Sequence, residues 1–188
     1  MTKRVKKKRK SGSRTMLPPE RADYSAIVDR PPLKLPGGAR IVFWSIVNLE
    51  FWDIAQPMAR QVLAPPTGVT HLPDVPNWSW HEYGMRVGVW RFFDLFKRAS
   101  IRPTLAINAR VCEDYARVAQ EAKSDAWEFM GHSYQQGPIH KEPNQKAMIA
   151  RSLDVLQKYC GERPVGWLGP GLTQTLEKPD LLSAAGIK

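Results

Sequence analysis

Two residue types that can exchange protons with water stand at places where apolar runs stop. Residues 127–130 read Trp-Glu-Phe-Met and break into Gly131-His132, and a polar segment through Gln135, Gln136, Gly137 and Pro138 follows. Residues 39–47 are a nearly continuous β-branched and aromatic run that ends at Asn48 and Glu50. An imidazole and a carboxylate at strand ends suit the activation of water, provided one of them can hold a proton near the working pH. Glu50 and His132 are therefore the candidate catalytic residues. Glu82, in Glu82-Tyr83-Gly84, and the segment from Gly166 and Trp167 to Pro170 and Gly171 are candidates to meet substrate, together with Asn48 and Gln136. Glycines at 169 and 171 would let a backbone N–H approach a developing oxyanion, with Trp167 as an aromatic wall.

Each of these residues also has a plainer reading, which the sequence leaves open. A loop histidine often serves only a backbone partner, and Glu50 could cap the segment that follows it. Glu82 could be an ordinary charge on a helix N-terminus, and the glycine-rich segment a tight turn.

The elements that would position these groups come from periodicity. Residues 39–47, 101–109, 126–130 and 163–168 read as strands, and residues 83–97, 112–123, 143–160 and 179–185 as helices. Strict alternation of the two types predicts an α/β fold with a parallel sheet or barrel, where chemistry sits at the C-terminal strand ends. Residues 51–80 read as a long insert with Trp52, Trp78 and Trp80, a lid or binding loop. Its tryptophans suit stacking on sugar or heterocyclic rings, or they pin the loop to the body. The last residues, Ile187-Lys188, fall where another strand is expected to begin, so the sequence reads as the N-terminal portion of a barrel.

Composition bounds the rest. The chain has 188 residues, 43% of them hydrophobic, with seven tryptophans, which suffices for a single core. Its net charge of +10 is uneven, because residues 1–19 hold eight Lys or Arg and no acid, leaving 20 basic against 18 acidic residues elsewhere. Three segments are expected: a disordered basic tail over 1–19, an extended proline-rich approach over 20–38, and the barrel portion over 39–188. The tail lacks the apolar stretch of a signal peptide, and a nucleic-acid contact is expected only through it. No apolar run approaches the roughly 20 residues of a membrane span. Cys112 and Cys160 stand apart and form no disulfide framework, which points to a cytoplasmic protein.

In order along the chain, the Asn48/Glu50 pair, Glu82-Tyr83-Gly84-Met85-Arg86-Val87-Gly88, Gly131-His132 and Arg163-Pro164-Val165-Gly166-Trp167 resemble the polysaccharide deacetylase superfamily, the NodB-homology domain. They resemble in particular the branch of peptidoglycan-deacetylase-like proteins and metal-independent allantoinases. The resemblance covers about residues 36–188. It implies a distorted (β/α) barrel, incomplete in this chain, and hydrolysis of non-peptide C–N amide bonds. The substrate would be an N-acetylated carbohydrate or a small cyclic amide or ureide. Metal-dependent members begin with two aspartates and carry a His-x-x-x-His pair. The matching positions here are Asn48, Glu50, His132 and Gln136. That leaves Glu50 and His132 as the ligands a zinc-like divalent metal would find, and no certain cofactor. Without a metal, His132 or Glu50 would take the water proton, while Asn48, Gln136 and amides near 169–171 hold the oxyanion. A non-catalytic carbohydrate-binding relative is the rival reading. An incomplete barrel would leave open strand edges, so a partner chain such as a second copy is also expected.

Overall fold

Residues 17–59, 61–65 and 67–188 are described by the computed structural model. The basic tail expected over residues 1–19 lies almost wholly outside them. Three parallel strands form the sheet, β1 (Ile46–Leu49), β2 (Thr104–Ile107) and β3 (Glu128–Gly131), in the order β1-β2-β3. The register pairs Ile46 with Thr104 and Thr104 with Glu128, so the three C-terminal ends lie level. β2 is buried along its whole length, which is why it reads as an unbroken apolar run.

The first strand is shorter than residues 39–47 and is shifted toward the C-terminus. Its neighbour β2 begins at Thr104, whose N–H donates to the Ser45 carbonyl at 2.9 Å, and residues 41–44 remain outside the sheet and exposed. Trp44 is held from the side, its indole donating to Thr104 Oγ1 at 2.8 Å.

Helices follow the strands. α1 (Pro18–Arg21) is a single turn, tied to α7 (Lys178–Ala184) by paired hydrogen bonds from Arg21 to Asp180. α2 (Val75–Tyr83) starts inside the stretch expected to be loop. Asp74 accepts the Asn77 N–H at 3.3 Å and Pro76 sits in the first turn, a start signal not matched by apolar periodicity. A five-residue π-helical turn, Gly84–Gly88, continues α2 into α3 (Val89–Ala99). The helix expected over 112–123 is two, α4 (Ala109–Asp114) and α5 (Ala116–Ser124). They part at Tyr115, whose backbone leaves the helical region at φ −126°. α6 (Gln145–Cys160) is capped by Asn144 and stopped by Gly161 at φ +91°.

The strand expected at 163–168 is a single parallel bridge, Gly131 to Trp167. Gly131 donates to the Gly166 carbonyl at 3.0 Å, and Leu168 donates to the Gly131 carbonyl at 2.9 Å. Among the described residues, no helix is long and apolar enough to cross a membrane. The main core joins β2 to the helices through Leu105, Ile107, Phe93, Trp127 and Leu156.

One side chain ties the strand ends together. Asn108, fully buried just past β2, accepts the Phe51 N–H through Oδ1 at 2.8 Å and donates through Nδ2 to the His132 carbonyl. Asn108→Ala strands both backbone groups without a partner, and the expected loss is about 2–4 kcal/mol in urea unfolding. A loss below about 0.5 kcal/mol would show that water replaces the carboxamide there.

Candidate active site

His132 and Glu50 meet across the level strand ends. His132 is fully buried, and its N–H continues the ladder by donating to the Ile107 carbonyl at 3.1 Å. Its ring Nδ1 lies 2.7 Å from the Leu168 carbonyl. A carbonyl only accepts, so Nδ1 carries a proton and Nε2 is the nitrogen turned toward Glu50. Nε2 faces Glu50 Oε1 at 3.4 Å and has no hydrogen-bond partner among the described residues. The other carboxylate oxygen, Oε2, accepts the Trp52 indole N–H at 3.2 Å.

The other sequence candidates divide. Gln136 is fixed through its backbone N–H to the Phe51 carbonyl at 3.0 Å, and its side-chain Oε1 is buried without a partner among the described residues. Gln136, Pro170 and Gly171 line an open groove of ≈ 1060 Å³, which Trp52 and Tyr134 also border. Gly171 has φ +58°, the conformation that favours glycine. Trp167 packs against Gly131 so closely that a Cβ there would stand 2.5 Å from its ring. Asn48 lies on the exposed face of β1, two residues before Glu50. Glu82 is committed elsewhere: it is buried, accepts Arg86 Nε at 2.8 Å, and takes the Tyr115 hydroxyl proton donor on its other oxygen. Burial, followed by that bond, pushes the Tyr115 phenol well up.

Residues the sequence reading passed over complete the site. Asn108 is the first polar residue after an apolar run, the same signal that singled out Asn48 and His132. His81, beside the chosen Glu82, stacks on Trp52 with centroids 4.4 Å apart. Burial lowers its pKa, and the Glu50 carboxylate opposes that shift. Lys178, the first residue of α7, is wholly buried, its ammonium 5.6 Å from the centroid of the Trp167 ring and, among the described residues, without a hydrogen-bond partner. Burial pushes it down to about 8. No local pattern marks it, since charged residues at helix starts are ordinarily solvated.

A zinc site of ordinary kind needs three or four N, S or carboxylate donors. The site supplies an imidazole, a carboxylate and a carboxamide, and among the described residues no group of three or more His, Cys, Asp or Glu side chains is placed to share an ion. The donor set therefore does not fit a resident zinc.

The family model for polysaccharide deacetylase matches residues 79–188. A solved structure described as a probable polysaccharide deacetylase from Pseudomonas aeruginosa is 26% identical and superposes with a TM-score of 0.69, over 85% of this chain and 56% of that one. A structure of Puue allantoinase is 23% identical with a TM-score of 0.70, over 88% of this chain and 59% of that one. The chain thus spans little more than half the length of either. No curated protein matches it by sequence. The α/β fold of deacetylase type expected from the sequence is confirmed, here with an open three-stranded sheet.

The buried lysine gives a pH test. Between about pH 8 and lysine's ordinary 10.5, the folded chain binds fewer protons than the unfolded one. The penalty for burying the charge is thus full below pH 8 and lifts as pH rises toward 10.5. Lys178→Met is expected to raise Tm by roughly 3–8 °C at pH 7 and by much less at pH 10. An equal shift at both pH values, read by calorimetry, would mean that the ammonium is solvated.

Proposed function

We propose that this chain, which belongs to the polysaccharide deacetylase family, hydrolyses a non-peptide carbon–nitrogen bond of an amide. The observation that carries the reading is the Glu50–His132 pair, 3.4 Å apart beyond strand ends held level by Asn108. A water set against this pair gives up one proton to it and attacks the amide carbonyl. When the tetrahedral intermediate collapses, the C–N bond breaks and the proton passes to the departing nitrogen. The products are a carboxylate and an amine. The Leu168 carbonyl keeps the His132 ring in one tautomer through this cycle, as a second partner commonly does for a working histidine. The Gln136 carboxamide and the backbone N–H of Gly171 border the groove and are the proposed donors to the oxyanion.

The groove supports an N-acetylated carbohydrate as substrate, since Trp52 and Tyr134 offer aromatic surface suited to sugar rings. A second reading, a cyclic amide or ureide, is favoured by Gln136, a carboxamide where a second histidine would be expected. The free thiols Cys112 and Cys160 support a reducing compartment such as the cytoplasm. Burial pushes Cys112 up to about 12, so it is an inert core thiol.

The test is hydrolysis of an N-acetylglucosamine oligomer and of a cyclic ureide, with metal content measured on the same samples. His132→Ala and Glu50→Gln are each expected to lower kcat/KM by about 10²–10⁴-fold on whichever substrate turns over. Stoichiometric zinc in the wild type that is lost with His132 would overturn the metal-free route. A folded wild type that turns over neither substrate would leave a carbohydrate-binding relative as the better reading.

A further inference from the structure

Trp52 touches both the Glu50 carboxylate and the groove. Its indole N–H donates to Glu50 Oε2 at 3.2 Å, and its ring borders the groove beside Gln136 and Gly171. A carboxylate rotates easily about its last bond, and a donor on one of its two equivalent oxygens fixes the plane in which the other meets His132. With Oε2 occupied by the indole, Oε1 is the one left facing Nε2.

The indole is itself held by a stacked ring. The His81 ring lies nearly parallel on its face, with 21° between the planes, and Trp80 in turn meets the His81 ring edge-on at 5.3 Å. The Trp78 indole donates to the Trp52 carbonyl at 3.2 Å. His81, Trp78 and Trp80 all belong to α2, which is also pinned to the preceding loop. Asn77 there accepts the Leu63 N–H at 2.8 Å and donates to the Leu63 carbonyl at 3.0 Å. The loop carrying Trp52 is thus fastened to a helix rather than left to close over the site.

We propose that Trp52 is a positioning residue that sets the orientation of the Glu50 carboxylate, and that the His81 ring acts through it by fixing the indole plane. This rests on the amide-hydrolase reading for its catalytic consequence and not for the contact itself. Trp52→Phe keeps a ring toward the groove and toward His81 and removes the N–H, together with part of the indole's stacking area. It is expected to lower kcat about 10- to 100-fold with KM within about twofold, the scale of a misplaced catalytic group. His81→Ala is expected to lower kcat in the same direction, and His81→Phe to restore it, because a stacked ring is what the indole requires.

A second measurement does not need turnover. In a ¹H–¹⁵N spectrum of the full chain, the indole signal that disappears in Trp52→Phe is expected to move in Glu50→Gln. A Trp52→Phe protein with wild-type kcat and a raised KM would make Trp52 a substrate platform and overturn the proposal. So would an indole signal indifferent to Glu50→Gln. If the wild type hydrolyses no amide, the reaction assigned above fails, while the indole signal still decides whether Trp52 holds Glu50.

Discussion

The Asn108 carboxamide is fully buried, with a backbone donor on one side and a backbone acceptor on the other. Phe51 follows Glu50, and His132 owns the carbonyl that Asn108 holds. The distance between the two proton-exchanging side chains is therefore set by one amide wedged between two loops. Neighbouring backbone bonds extend the clamp: Ala109 donates to the Ser133 carbonyl at 3.0 Å, and Arg110 to the Tyr134 carbonyl at 2.9 Å. A buried polar group in this position is valuable only while both partners are kept, since an unpaired one costs more than the bond gains.

On the far side of His132 the constraint is steric. Gly131 gives up its side chain so that the Trp167 ring can lie against the strand, and Gly169 gives up its own beside the Thr173 carbonyl and Lys178 Nζ. These close approaches bring the Leu168 carbonyl within reach of Nδ1. The histidine is thus braced by a ladder bond, a carboxamide and a carbonyl, and only Nε2 is left toward Glu50.

Much of this was legible in the sequence because the fold is built from strong periodic signals. The parallel α/β order, the helices over 143–160 and 179–185, and the groups at the strand ends follow from apolar runs that stop abruptly. The boundaries were less legible, because pairing depends on the neighbour: β2 begins at Thr104, so residues 41–44 have no strand beside them, and nothing within that run says so. Glu82 shows the limit for single residues. Its Glu-Tyr-Gly context suggested a substrate contact, yet its oxygens are taken by Arg86 and by Tyr115, 33 residues away. His81 was invisible for the same reason, and the sequence named Trp52 only as a stacking or pinning residue, since a stack between a loop and a helix leaves no spacing to read. Lys178 is hidden because its burial comes from the packing of α7 near Trp167.

The order in which such a molecule can assemble follows from the parallel register. Residue 46 must find residue 104, and residue 104 must find residue 128, each across an intervening helical segment. Pairings of that separation close large loops before they return any contact energy, whereas α3 and α6 can begin from neighbours in the chain. Asn108 gains its two partners only when both crossovers have closed. The Glu50–His132 pair therefore depends on the pairings of greatest separation in the sheet, and its spacing is complete only when both crossovers have closed.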